Sequence, residues 1–217
     1  HENSYLTARV NYHALVREFD KDSQKTEDYL EGQGNISLGQ ETHLAALHIS
    51  HRRKRLLNTP DALDVVENRQ ERDILSIAPE IRLGSPSSDR LLTQGQFTQI
   101  RFTDSKIQDA DTEGGIITWS RPVSAISHFQ LATQLTTTEF LYLPERNYDY
   151  TRADMLYAKS LRLWNYQLKM GHNRSERQEK TFDSPSFGIN VGFVDGRHQW
   201  MFGSSKMLTD TSTGNGA

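Results

Sequence analysis

The side chains best suited to metal chemistry in this sequence are its histidines, because a neutral imidazole is the commonest protein ligand for zinc and related ions. His43, His48 and His51 lie close together, and His13 stands in a similar segment upstream. On an extended strand successive side chains alternate between faces, so His48 and His51 point to opposite sides. Ligands of one ion must converge, so these histidines are expected to be ordinary lumen or loop residues and no metal is expected. Hydrolytic chemistry is no better served. Ser, His and Asp are plentiful, yet the Gly-x-Ser-x-Gly, His-Glu-x-x-His and phosphate-loop spacings do not occur. The chain has no cysteine, which excludes disulfides, thiolate metal sites, iron–sulfur clusters and covalent c-type haem within it. The expectation is a protein that is not an enzyme and needs no cofactor.

The more informative polar residues come in ranks two apart: Arg9, Asn11 and His13; Glu31 and Gln33; Glu80 and Arg82; His128, Gln130 and Gln134; Gln167 and Lys169. Apolar residues separate most of them. If the apolar sets face lipid, the polar ranks line a water-filled lumen and their charges tune its selectivity. In a soluble protein the same ranks form a solvent-exposed sheet face, and the alternation alone does not separate the two.

The elements that carry these ranks are β-strands. Leu6, Ala8, Val10, Tyr12, Ala14 and Val16 alternate with Thr7, Arg9, Asn11, His13 and Arg17, a period of two. The pattern recurs over 30–38, 44–50, 74–84, 128–135, 165–171 and 187–193. With less regular segments at 91–103, 115–121, 150–161 and 198–206, about eleven strands are expected. Pro79 cannot donate a ladder hydrogen bond, which predicts an edge, a bulge or a strand end there. Asp195-Gly196 predicts a hairpin turn. Connections alternate long (19–27, 52–73, 104–114, 136–149, 173–184) and short (39–42, 85–89, 121–124, 161–164, 195–197). This order is expected of a chain that rises and falls through an outer membrane. The basic run His51 to Arg55, followed by acidic residues, reads as a solvated loop. Aromatic girdles are expected from Tyr12, Phe19, Tyr29, Phe140, Tyr142, Tyr148, Tyr150, Trp164 and Tyr166.

Composition agrees with a folded but two-faced protein: 35% of the 217 residues are hydrophobic, and the net charge of −3 with both signs interspersed gives no nucleic-acid-binding face. No stretch approaches the roughly 20 apolar residues of a membrane-spanning helix. The first residues lack the charged and apolar parts of a secretory signal, which implies a mature or truncated chain if the protein is exported.

The segments Ile74 to Gly84, Trp119-Ser120-Arg121-Pro122-Val123-Ser124 and the hairpin Phe187 to Phe202 resemble the outer-membrane β-barrels of Gram-negative bacteria. The likeness is greatest to the porin-like barrels of exopolysaccharide and PEP-CTERM (exosortase) systems, and it is one of style across nearly the whole chain. It implies an all-β, antiparallel, up-and-down transmembrane barrel, or a large part of one, over residues 1–217. It further implies residence in the bacterial outer membrane, contact with outer-membrane lipid and with other envelope or export proteins, and a porin-like pore or export conduit linked to polysaccharide export. Single-chain bacterial barrels have even strand numbers, and many end in an aromatic residue. The polar end Thr211 to Ala217 departs from that and favours part of a larger barrel. Two alternatives stay open: a soluble all-β sandwich that binds or supports a partner, and a barrel enzyme acting on lipid or glycan.

Overall fold

A computed structural model of the chain describes residues 5–17, 27–39, 44–57, 69–85, 87–103, 108–178 and 180–206. Eleven strands follow in order: β1 Leu6–Arg17, β2 Glu27–Leu38, β3 Ala45–Leu57, β4 Arg69–Gly84, β5 Arg90–Phe102, β6 Ala110–Ser124, β7 Ser127–Phe140, β8 Tyr148–Ser160, β9 Trp164–Arg177, β10 Lys180–Val194 and β11 Gln199–Lys206. One turn of 3-10 helix, Pro144–Arg146, precedes β8. Each strand pairs with its sequence neighbours, so the chain is all-β and forms one antiparallel up-and-down sheet in the order β1 to β11. Among the described residues no ladder joins β1 to β11, so the sheet is not closed into a barrel.

The strands run further than their apolar alternation predicts. The basic run His51 to Arg55 belongs to β3 and is not a loop. Within it Arg53 pairs with Glu71 and Asp73, and the Arg55 guanidinium lies 4.7 Å from the centre of the Tyr29 ring. The long connection expected over 173–184 is likewise absent. Arg177 pairs with Lys180, leaving two residues between β9 and β10, with Gln178 in the left-handed region at φ 48°. These segments carry charged and polar residues at both parities with no apolar alternation, and period-two hydrophobicity cannot mark such a strand. Similarly, the short turn expected over 121–124 falls after Ser124, where the Ser124 and Ser127 hydroxyls meet at 2.7 Å.

Pro79 sits inside β4, which has β3 and β5 as neighbours, so it marks neither an edge nor a strand end. The chain divides there into two compact units, His1–Pro79 with Gln96–Glu113 and Thr138–Pro144, and Glu80–Gly95 with Gly114–Thr137 and Glu145–Ala217. The Pro79 nitrogen has no hydrogen to donate to a ladder.

The hairpin β10–β11 turns at Gly196, whose φ of 86° suits glycine. Asp195 Oδ1 accepts hydrogen bonds from the Arg197 and His198 amides at 3.0 and 2.7 Å. These donors, His198 first and Arg197 next, hold the Asp195 carboxyl below its ordinary value. A carboxylate with a depressed folded pKa stabilises the fold above its unfolded pKa, and that contribution is lost as pH falls through the folded value. An NMR titration is expected to show the Asp195 carboxyl and the His198 amide moving together below the pH range of an ordinary aspartate. Asp195→Ala should abolish the amide transition.

Cross-strand pairs keep the two faces chemically distinct. In the first unit Ala8 opposes Ile36 and Ile36 opposes Ile49, while Asn11 opposes Gln33 and His13 opposes Glu31 on the other face. In the second, Met155 opposes Met170 and Leu168 opposes Ile189, while Gln167 opposes Asn190 on the other face. Such pairs contribute about 0.2–1 kcal/mol each.

Burial runs opposite to that of a soluble core. In the first unit Gln70, Thr98, Thr112 and Thr138 are buried, while Leu6, Val10 and Val16 are exposed. In the second Glu80, Thr136, Asn173 and Ser186 are buried, while Ile81, Leu135, Met170 and Phe187 are exposed. Among the described residues the buried apolar set is only Ala46, Ile100, Ala110 and Tyr150. The polar side chains of each unit occupy the sheltered face, and the large apolar ones occupy the open face.

Candidate functional site

The most connected polar cluster lies in the second unit, where β8, β9 and β10 run side by side. Asp154 on β8 faces Gly171 on β9, which faces Ser186 on β10. Glycine is required in the middle. A Cβ on residue 171 would stand 2.5 Å from the Ala153 carbonyl oxygen and 2.9 Å from Ser186 Oγ, and closer still to the Asp154 carboxylate. The missing side chain lets Ser186 Oγ cross and donate to Asp154 Oδ1 at 3.3 Å. Arg152 Nε, two residues away on the same face, donates to Asp154 Oδ2, and Lys169 Nζ lies 3.4 Å from the same oxygen. Gly171→Ala should therefore cost about 1–3 kcal/mol, the usual range for overpacking. Denaturant melts of the two proteins would check it, and equal midpoints would refute the steric account.

The network continues along the face. Tyr150 OH donates to Asn173 Oδ1 at 3.2 Å, with Asn173 fully buried. Towards the other end, Asn190 Nδ2 donates to Gln167 Oε1 at 3.2 Å. Hydroxyls, amides and one balanced carboxylate thus form a hydrogen-bonding surface, with the cationic ends of Arg152 and Lys169 set into it.

The first unit carries a polar face of the same kind. His13 Nε2 lies 3.9 Å from Glu31 Oε2, and Ser37 Oγ is 3.0 Å from His48 Nδ1. Ser76 and Thr98 hydroxyls meet at 3.0 Å, and those of Thr112 and Thr138 at 3.1 Å. Buried hydroxyl pairs of this sort satisfy each other without a net charge.

The twelve residues expected on the polar face fall into separate groups. Arg9, Asn11, His13, Glu31 and Gln33 share one face of β1 and β2. Lys169 joins the Asp154 cluster, and Gln167 pairs with Asn190 on the same face. Glu80 and Arg82 pair with each other along β4. His128, Gln130 and Gln134 share one parity on β7, where Gln134 donates to Thr136 at 3.2 Å and His128 is exposed.

Of the histidines, His48 and His51 lie on opposite faces, opposite Ser37 and Gly34 respectively, and His43 is outside the described residues. Sequence reasoning missed Tyr150, Arg152, Asp154, Asn173 and Ser186. A signal was present in β8, since Tyr150, Arg152 and Asp154 alternate with Thr151, Ala153 and Met155. Leu156 and Ala158 continue the polar parity and obscured it.

The apolar face becomes charged at one end of the strands. On β3 and β4, Leu47 and Ile49 give way to His51 and Arg53, and Leu75 gives way to Asp73 and Glu71. Tyr12 OH reaches His51 Nδ1 at 2.5 Å over Gly34, and His51 Nε2 lies 3.6 Å from Asp73. In the second unit Leu168 and Met170 give way to His172, Arg174 and Glu176 on β9. Arg174 and Glu176 pair at 2.5 Å, and His172 lies 3.8 Å from Asp183. The opposite ends of these strands carry aromatic contacts, with Trp164 and Phe193 centred 4.7 Å apart and Tyr157 and Tyr166 6.5 Å apart. Of the other expected girdle residues, Tyr150 is instead buried on the polar face and Phe19 lies outside the described residues. No family model, curated protein or solved structure matches the chain.

Proposed function

We propose that this chain is part of an outer-membrane β-barrel whose apolar face meets lipid and whose polar face lines a water-filled pore or export conduit. The observation that carries this reading is the inverted burial: Leu135 and Met170 are 58% and 57% exposed, whereas Thr138 and Asn173 are 1% and 0% exposed. Water penalises such an arrangement, because exposed apolar area is the main term a soluble fold removes. Lipid rewards it.

Strand length supports the same reading. The apolar residues of β4 run from Leu75 to Leu83, nine positions, against the roughly 9–11 needed for a tilted strand to cross the hydrocarbon. Beyond that length the open face turns charged, as a strand leaving the bilayer would. The aromatic contacts of Trp164, Phe193, Tyr157 and Tyr166 fit an interfacial girdle at the short-turn ends. A soluble sandwich has less support, since it requires the apolar faces to meet in a dry interior. Porin-like transport and a link to polysaccharide export belong to this proposal through the resemblance of the strands.

The test is partition. The folded full chain should need detergent or bilayer to remain monomeric, and should float with liposomes after refolding. Recovery of a folded monomer from plain buffer would dismiss the membrane reading.

A further inference from the structure

Building on that reading, we infer that the polar face is an anion-attracting surface, and that the passage it lines prefers anionic solutes such as carboxylates, sulfates or phosphates. The protein as a whole is slightly acidic, with a net charge of −3. Its polar face is not. On β1–β3 the pairing register sets Arg9 and Arg52 on the polar face against one carboxylate, Glu31, and places Arg17 opposite Glu27, which leaves the difference unchanged. Arg72 of β4 lies near enough to Arg52 for the two cations to act on each other.

The second unit repeats the imbalance independently. On β8–β10 the polar face carries Arg152, Lys169, Arg177 and Lys180 against a single carboxylate, Asp154. The Glu80–Arg82 pair on β4 cancels and leaves the sign unchanged.

The acids go to the other face. Glu71 and Asp73 contact Arg53, which the register places opposite Gly32 on the apolar side. Glu176 and Asp183 lie on the apolar side of β9 and β10, at its charged end. The carboxylates at the rim of the apolar face are thus paired there with Arg53 and Arg174, while the polar face keeps a surplus of cations. A wall of one sign in a confined aqueous passage raises the local concentration of the opposite ion, and Lys and Arg rings serve this purpose in anion pores.

The absence of native cysteine makes a direct probe possible. A cysteine is introduced by Gln167→Cys, beside Lys169 on the polar face, in the full chain folded in detergent. Its modification rates by a sulfonate-bearing and a quaternary-ammonium methanethiosulfonate are divided and compared with the same ratio for free N-acetylcysteine. The expected ratio favours the anionic reagent by about fivefold at low salt and collapses towards the free-thiol value near 1 M salt. Adding Lys169→Glu should reverse the preference, and if that variant does not fold, Lys169→Gln should reduce it. A low-salt ratio equal to or below that of the free thiol overturns the inference. In planar bilayers under a potassium chloride gradient, the reversal potential should report anion preference. A cation-preferring conductance would overturn the inference and leave the pore standing. Absence of any conductance would count against the pore, while the thiol ratio still decides the sign of the face.

Discussion

Asp154→Leu is expected to lower folding stability by about 3 kcal/mol, the scale for removing one partner of a buried ion pair. The side chain of Asp154 is only 10% exposed, and that of Arg152 is 19% exposed. Without the carboxylate, Arg152 and Lys169 face each other, and the Ser186 hydroxyl loses its acceptor. The cost comes chiefly from stranding the two cations, so it should fall when one is also removed. Asp154→Leu with Lys169→Met should therefore be more stable than the sum of the single changes predicts, by a coupling within the 0.5–3 kcal/mol range of contacting residues. Urea melts of the four proteins in one detergent would measure it. Strict additivity would show that the Asp154 cluster is not an energetic unit.

Leu168→Arg carries the second large effect. Leu168 sits between Trp164 and His172 on the open face of β9, opposite Tyr157 on one side and Ile189 on the other. If that face meets hydrocarbon, an arginine there costs about 2–4 kcal/mol in bilayer folding equilibria, against about 0–1 near the interface. His172→Arg, four residues towards the charged end, supplies the interfacial comparison. The depth dependence is the informative quantity, because a solvent-exposed soluble face would tolerate both changes within about 0.5 kcal/mol. Equal, small effects at the two positions would remove lipid from the picture of β9.

The sequence by itself determined the fold class, the number of strands and the assignment of most residues to a polar or an apolar face. It could do so because the side-chain period of a strand is two and local, so Leu6 to Val16 or Phe187 to Phe193 announces its geometry without any partner. The same locality explains the errors at 51–57, 69–73 and 173–184, where Leu56, Leu57 and Phe182 are the only large apolar residues and no hydrophobic alternation remains. Those stretches are held extended by their neighbours, through contacts such as Arg53 with Glu71 and His172 with Asp183. Tertiary structure alone decided the register, and register brought Asp154, Gly171 and Ser186 into one row from three strands. It also decided which face is sheltered. Alternation is symmetric between an apolar face turned inward to a core and one turned outward to a solvent, and only the burial of residues such as Asn173 and Thr138 within each unit breaks that symmetry.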